Sequence, residues 1–204
     1  IISPQDFDIA REEHYFGRSL FATDLNGDGA DDLIVGSPNV DDVPGSTSRV
    51  YVYLTTGTAS ASLMATPSYV AEYETRGFGT AVSAMDLDGD DIPELLVGDP
   101  TTPHDSGNRG RAHIYQANWT AATGTPVALE NDIIIGDTAE PTTMLGSDIK
   151  AETASFGTQL AGLSWTWGSL RRELVVGASE NIYLFFLTGL LEDSDHASEI
   201  HDPR

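Results

Sequence analysis

Short apolar runs of strand length, separated by clusters of Gly, Pro, Asn and Asp, recur along this chain. Leu33-Ile34-Val35 and Leu95-Leu96-Val97 are continuously apolar, as expected for strands covered on both faces. Arg49-Val50-Tyr51-Val52-Tyr53 and Arg111-Ala112-His113-Ile114-Tyr115 alternate, as expected for strands with one more deeply buried face. Further strands are predicted around Leu20-Phe21-Ala22, Tyr69–Tyr73, Ala81–Ala84, Ile133–Ile135 and Ile182–Leu187. Ser37-Pro38-Asn39, Asp99-Pro100-Thr101 and Gly107-Asn108-Arg109-Gly110 break them. The pattern contains no amphipathic helix. Ile182–Leu187, the longest apolar candidate, falls well short of the roughly 20 residues needed to span a bilayer.

The strands repeat in phase. Counted from Phe16-Gly17 and Phe78-Gly79, an Asp falls at +8 (Asp24, Asp86), a carboxylate at +16 (Asp32, Glu94) and a Gly at +20 (Gly36, Gly98). An Arg opening the alternating strand follows at +33 (Arg49, Arg111). A third unit starts at Phe156-Gly157 and reaches Glu173–Gly177 with one extra residue. Units of four short strands, starting 62 and 78 residues apart, predict an all-β chain of β-propeller blades, each burying its faces against its neighbours. Repeats are assigned near 5–67, 68–131 and 132–187, with a strand at Phe7–Ile9 ahead of the first Phe-Gly, a polar insertion over 136–155 and an acidic tail, expected to be disordered, over 188–204. That is about three blades' worth of strands, whereas propellers typically close with four to eight. The expectation is a segment of a larger propeller or assembly, and a start at Ile1 suits a processed or excised piece.

Between the first and second strand of the first two units lies an acidic turn. Positions 1, 3, 5 and 9 carry Asp24, Asn26, Asp28 and Asp32 in one turn, and Asp86, Asp88, Asp90 and Glu94 in the other. Position 7 would add the backbone carbonyls of Ala30 and Ile92. An all-oxygen donor set, without Cys or a nearby His, points to two calcium sites. An Asx-rich turn without an ion is the alternative. An EF-hand is excluded, because its bidentate Glu position holds Val35 or Val97 and strands flank the turn. In the second turn Asp91 stands where the first has Gly29 and must take the left-handed conformation. The third unit has Ser164–Arg172 at this place, with two arginines and no ligand carboxylates in phase, and is predicted not to bind calcium this way.

The formal net charge of −22, with Lys150 the single lysine, argues against nucleic acid and anionic membrane surfaces as partners. It suits a solvated acidic surface that keeps an extracellular protein soluble, with adaptation to high salt as the alternative to that first reading. The five histidines (His14, His104, His113, His196, His201) share no catalytic or metal spacing, and His113 is read as a packing residue. No nucleophile elbow is present. Asn118-Trp119-Thr120 is an N-glycosylation pattern. Trp165 and Trp167 would share one strand face, as core residues or as a sugar platform.

The Phe-Gly pairs, the calcium-type turns, and Gly36-Ser37-Pro38, Gly98-Asp99-Pro100 and Gly177-Ala178-Ser179 together resemble the FG-GAP repeats of integrin α-subunit propellers, over about residues 5–187. The resemblance implies a non-enzymatic, calcium-stabilised module outside the cell or at its surface, serving adhesion or assembly through a protein partner or further blades. The same propeller type resembles parts of glycosylphosphatidylinositol-specific phospholipase D, which makes an accessory propeller of a secreted hydrolase the rival reading. A third is a glycan-binding propeller of the kind found in fungal lectins.

Overall fold

The computed structural model describes residues 15–39, 47–55, 66–87, 89–101, 103–104, 107–108, 110–116, 119–120, 127–129, 133–135, 155–166, 170–178 and 182–186. Phe7–Ile9, the 136–155 insertion short of Ser155, Leu187 and the 188–204 tail lie outside them. The first blade is β1 (Ser19–Thr23), β2 (Asp32–Ser37), β3 (Ser48–Tyr53) and β4 (Tyr69–Tyr73), an antiparallel meander in chain order. The second is formed by β5 (Ala81–Met85) and β6 (Glu94–Asp99), with β7 (Pro103–His104) and β8 (Gly107–Asn108) making a small hairpin before β9 (Arg111–Tyr115). After β9 comes β10 (Val127–Ala128), which adds parallel to β4 of the first blade, and then β11 (Ile133–Ile135), which completes the second. The third blade is β12 (Gln159–Thr166), β13 (Leu170–Gly177) and β14 (Ile182–Phe186). The chain is thus all-β, with propeller blades whose sheets do not close into a ring among the described residues.

β1 lies beside β5 and β5 beside β12, so the first strand of each blade lines the inner side of the array. The continuous apolar strands divide between two interfaces. Leu95 and Val97 of β6 pack with Ile34, Val50, Val52, Tyr69 and Phe78 against the first blade. Leu96, between them, points the other way, into a core with Ile114, Phe156, Leu174 and Val176. A strand buried on both faces has to be apolar at every position, which is the pattern its sequence shows.

Each internal Phe-Gly pair closes a blade junction. Phe78 and Phe156 are fully buried. The glycine behind each lays its carbonyl over a strand-ending glycine of the preceding blade, Gly79 over Gly36 and Gly157 over Gly98, where a β-carbon would collide with that carbonyl. Ser19 Oγ adds a bond to the Gly79 carbonyl at 2.7 Å. Blade spacing is therefore fixed by backbone lying on backbone, a contact that only glycine permits.

The third unit differs from the expected loop at Ser164–Arg172. Ser164, Trp165 and Thr166 pair with Arg172, Arg171 and Leu170, so both strands extend through that segment. Without clustered carboxylates to curl the backbone, the hairpin ladder runs on.

Candidate metal turns

Both acidic turns are held by side-chain oxygens bonded to their own backbone. In the first, Asp24 Oδ1 accepts from the Gly27 and Asp28 amides at 2.8 and 3.1 Å, and Oδ2 from Gly29 at 2.9 Å. Asn26 Oδ1 accepts from Asp28, and Asp28 Oδ1 from Ala30, each at 3.0 Å. Asp32, the first residue of β2, is buried and reaches back to the Leu25 amide at 2.9 Å. Its other oxygen takes the Thr55 amide at 2.7 Å, just past the end of β3. Burial pushes the Asp32 carboxyl above the usual carboxylate range, while the bonds from Thr55 and Leu25 pull it back.

The second turn repeats these offsets. Asp86 accepts from Gly89 at 2.6 Å and from Asp91 at 3.1 Å, Asp90 from Ile92 at 2.8 Å, and the buried Glu94 from Leu87 at 2.6 Å. Asp91 has φ 67°, matching the 87° of Gly29, as its place in the sequence requires. Asp88 lies outside the described residues.

Every donor in these turns is oxygen, a chemistry that fits calcium. Asp24, Asn26, Asp28, Asp32 and the Ala30 carbonyl would hold the ion in the first turn, and Asp86, Asp90, Glu94 and the Ile92 carbonyl, with Asp88, in the second. In the geometry described the carboxylates are turned onto amides, and no three Asp, Glu, His or Cys side chains converge on one point among the described residues. Each carboxylate oxygen that takes one amide keeps a second lone pair for a cation.

The other candidates separate clearly. His113 is fully buried, packed edge-on against Tyr73 at 4.7 Å and Phe78 at 5.0 Å, the packing role its strand position predicts. Asn118 and Trp167 lie outside the described residues, as do His14, His196 and His201, and Trp165 is a β12 residue paired with Arg171. Sequence reasoning treated Trp119 only as the middle of a glycosylation pattern. It is in fact a buried anchor: its ring stands edge-on to Tyr69 at 5.1 Å, and Thr120 donates its amide to the Tyr69 hydroxyl at 2.8 Å. An aromatic residue four places beyond an alternating strand was the available signal.

A family model described as FG-GAP repeat matches residues 16–53 and 78–115, the two units with acidic turns. Integrin alpha-PS2 of Drosophila melanogaster is 32% identical over 184 residues, covering 84% of this chain and 12% of that protein. Integrin alpha-8 of Mus musculus is 34% identical over 121 residues, covering 56% of this chain and 11% of the relative. Human phosphatidylinositol-glycan-specific phospholipase D is 27% identical over 149 residues, 58% of this chain and 17% of the enzyme. The chain spans well under a fifth of the length of each of these relatives.

Proposed function

This chain belongs to the FG-GAP repeat family of β-propellers, and from that premise we propose that it is a calcium-stabilised extracellular interaction module whose two acidic turns each take one calcium ion. The observation that carries the reading is the repeated turn. Two segments 62 residues apart place oxygen donors at the same offsets and bond them to the same backbone amides. Each turn links the inner strand of a blade to the strand buried behind it, so an ion there would tie blade geometry together and perform no chemistry. The similarity to integrin α chains favours a role in adhesion or assembly, through a protein partner or neighbouring blades.

Calcium that binds only the folded state raises stability by mass action, by about 2.7 kcal/mol at a concentration 100 times its dissociation constant. Calorimetric titration of the chelator-stripped chain should give two ions per chain, and melting with and without chelator should show a clear upward shift with calcium. A melting temperature indifferent to chelation would end the calcium reading.

The similarity to phosphatidylinositol-glycan-specific phospholipase D favours a second reading, the accessory propeller of a secreted hydrolase. In that case the catalytic residues lie in a different part of the polypeptide. The coding sequence on either side of these 204 residues decides between the two: a zinc-ligand-rich domain upstream supports the hydrolase, and further blades followed by sandwich domains support adhesion.

A further inference from the structure

Between β9 and β11 the chain leaves the second blade for the first, where β10 pairs in parallel with the outer strand β4. Val127 donates its amide to the Ser68 carbonyl and Leu129 to the Val70 carbonyl, each at 2.9 Å. A parallel pairing this short holds weakly by itself. A second foothold lies at the start of the crossing. The Trp119 ring stands edge-on to Tyr69 of β4. The Tyr69 hydroxyl donates to the Thr120 carbonyl at 3.0 Å and accepts the Thr120 amide at 2.8 Å. Trp119-Thr120 and Val127–Leu129 are thus the two ends of a strap fastened to β4.

The same Trp119 reaches the second acidic turn, donating its indole N–H to the Pro93 carbonyl at 2.7 Å. Pro93 stands between Ile92, whose carbonyl is at the seventh turn position, and Glu94, the closing carboxylate. The Ile92 side chain packs against the core that holds Trp119 and Tyr69, and Leu129 of the strap packs there too. Glu94 is buried and holds the Leu87 amide at 2.6 Å. Proline's fixed φ leaves the Pro93 carbonyl one torsion to turn about, and the position of Glu94 sets that torsion. The acceptor Trp119 uses therefore moves with two members of the proposed ligand set. The first turn is tied within its own blade, where Asp32 takes the Thr55 amide at 2.7 Å.

We propose that the second acidic turn and the strap form one calcium-linked latch on the outer edge of the first blade, an inference that rests on the calcium reading above. When the turn is loaded, Ile92 and Glu94 are fixed, the Pro93 carbonyl is presented to Trp119, and β10 closes on β4. When it is empty, Trp119 loses its fixed acceptor and β10 lifts. Lifting bares the backbone groups of β4, an open edge that other chains can pair with. The coupling is reciprocal: a docked Trp119 strengthens calcium binding at the second turn by the factor by which calcium strengthens the strap. Trp119 acts through Pro93 and is a positioning residue.

Hydrogen exchange of the Val127 and Leu129 amides, followed by NMR in saturating calcium and in chelator, tests the inference, with calorimetry on the same samples. In chelator the two amides should exchange faster than those of β3, the mark of local opening. Calcium should slow them by about tenfold, inside the roughly 5–150-fold range of typical site couplings. Trp119→Phe should still bind two ions at saturation, with one site weakened by that factor, and its strap amides should exchange at one rate in both solutions. Ions bound with the wild-type strap rates unchanged, or strap amides no faster than β3 in chelator, would overturn the latch and leave the calcium reading standing. No ion bound would overturn both. Slowing by calcium that persists in Trp119→Phe would overturn the latch by routing the coupling around the indole. The wild-type comparison needs no variant and decides the matter even where Trp119→Phe fails to fold.

Discussion

Trp119 donates its indole N–H to the carbonyl of Pro93 at 2.7 Å. Pro93 immediately precedes Glu94, the closing carboxylate of the second acidic turn, and the same indole packs on Tyr69 of the first blade's outer strand. One side chain therefore braces the exit of a turn in one blade against the edge of another. Trp119→Phe keeps most of the apolar contact, removes the donor, and should cost about 1 kcal/mol. Trp119→Ala should cost about 3–5 kcal/mol. Denaturant midpoints of the two variants check the order.

The Gly36–Gly79 contact makes a sharper prediction. A methyl on Gly36 meets a backbone carbonyl of the next blade, which can yield only if the blades separate. Gly36→Ala and Gly98→Ala should therefore destabilise by about 2–3 kcal/mol, in the range of overpacking a well-filled interior. Gly17→Ala, where a β-carbon would meet nothing within 4 Å among the described residues, should show only the left-handed backbone cost of about 1–2 kcal/mol. Gly36 and Gly98 are not among the glycines with positive φ, so a Gly36→Ala variant as stable as the parent chain would mean that blade packing does not require glycine there.

Much of this architecture was legible because the repeat reports one decision several times. The Phe-Gly pairs, turn carboxylates and strand glycines fall at fixed offsets, and packing gives each offset a physical reason: a buried lid, a curled backbone, a glycine seat. What the sequence hid were features that occur once. β10 joins β4 through two parallel pairs and follows no periodicity. The extended β12–β13 hairpin depends on a register that no side-chain pattern announced in Ser164–Arg172. Trp119 does its work through tertiary contacts, and its local pattern pointed to the glycosylation signal. In the turns, residue identity gave the donor chemistry, while the bonds from those donors to the backbone amides emerged only in three dimensions.

The two turns should differ in their dependence on calcium. The second has carboxylates at all four ligand side-chain positions, where the first has Asn26 among three. Asp88→Asn gives the second turn the donor types of the first at its third position and removes one charge. A like-charge pair about 4 Å apart costs about 1 kcal/mol even at the dielectric of bulk water, and more near a protein surface. The variant should melt higher than wild type in chelator at low salt, and bind calcium more weakly at that site. Titration calorimetry and paired melts provide both readouts, and added salt should shrink the chelator difference.

Asp91 supplies the last test, because there the backbone and the charge argue in the same direction. It holds φ 67° at the position where the first turn has Gly29, and its amide bonds to Asp86. Its own side chain falls at the sixth position, outside the proposed ligand set. Asp91→Gly removes the left-handed penalty and one negative charge from a crowded turn. It also frees the unfolded chain, which returns part of that gain. A net stabilisation of about 0.5 kcal/mol is expected, with two calcium ions still bound per chain. Loss of an ion from the stoichiometry would instead make Asp91 a ligand, and the offsets shared with the first turn would no longer define the second site.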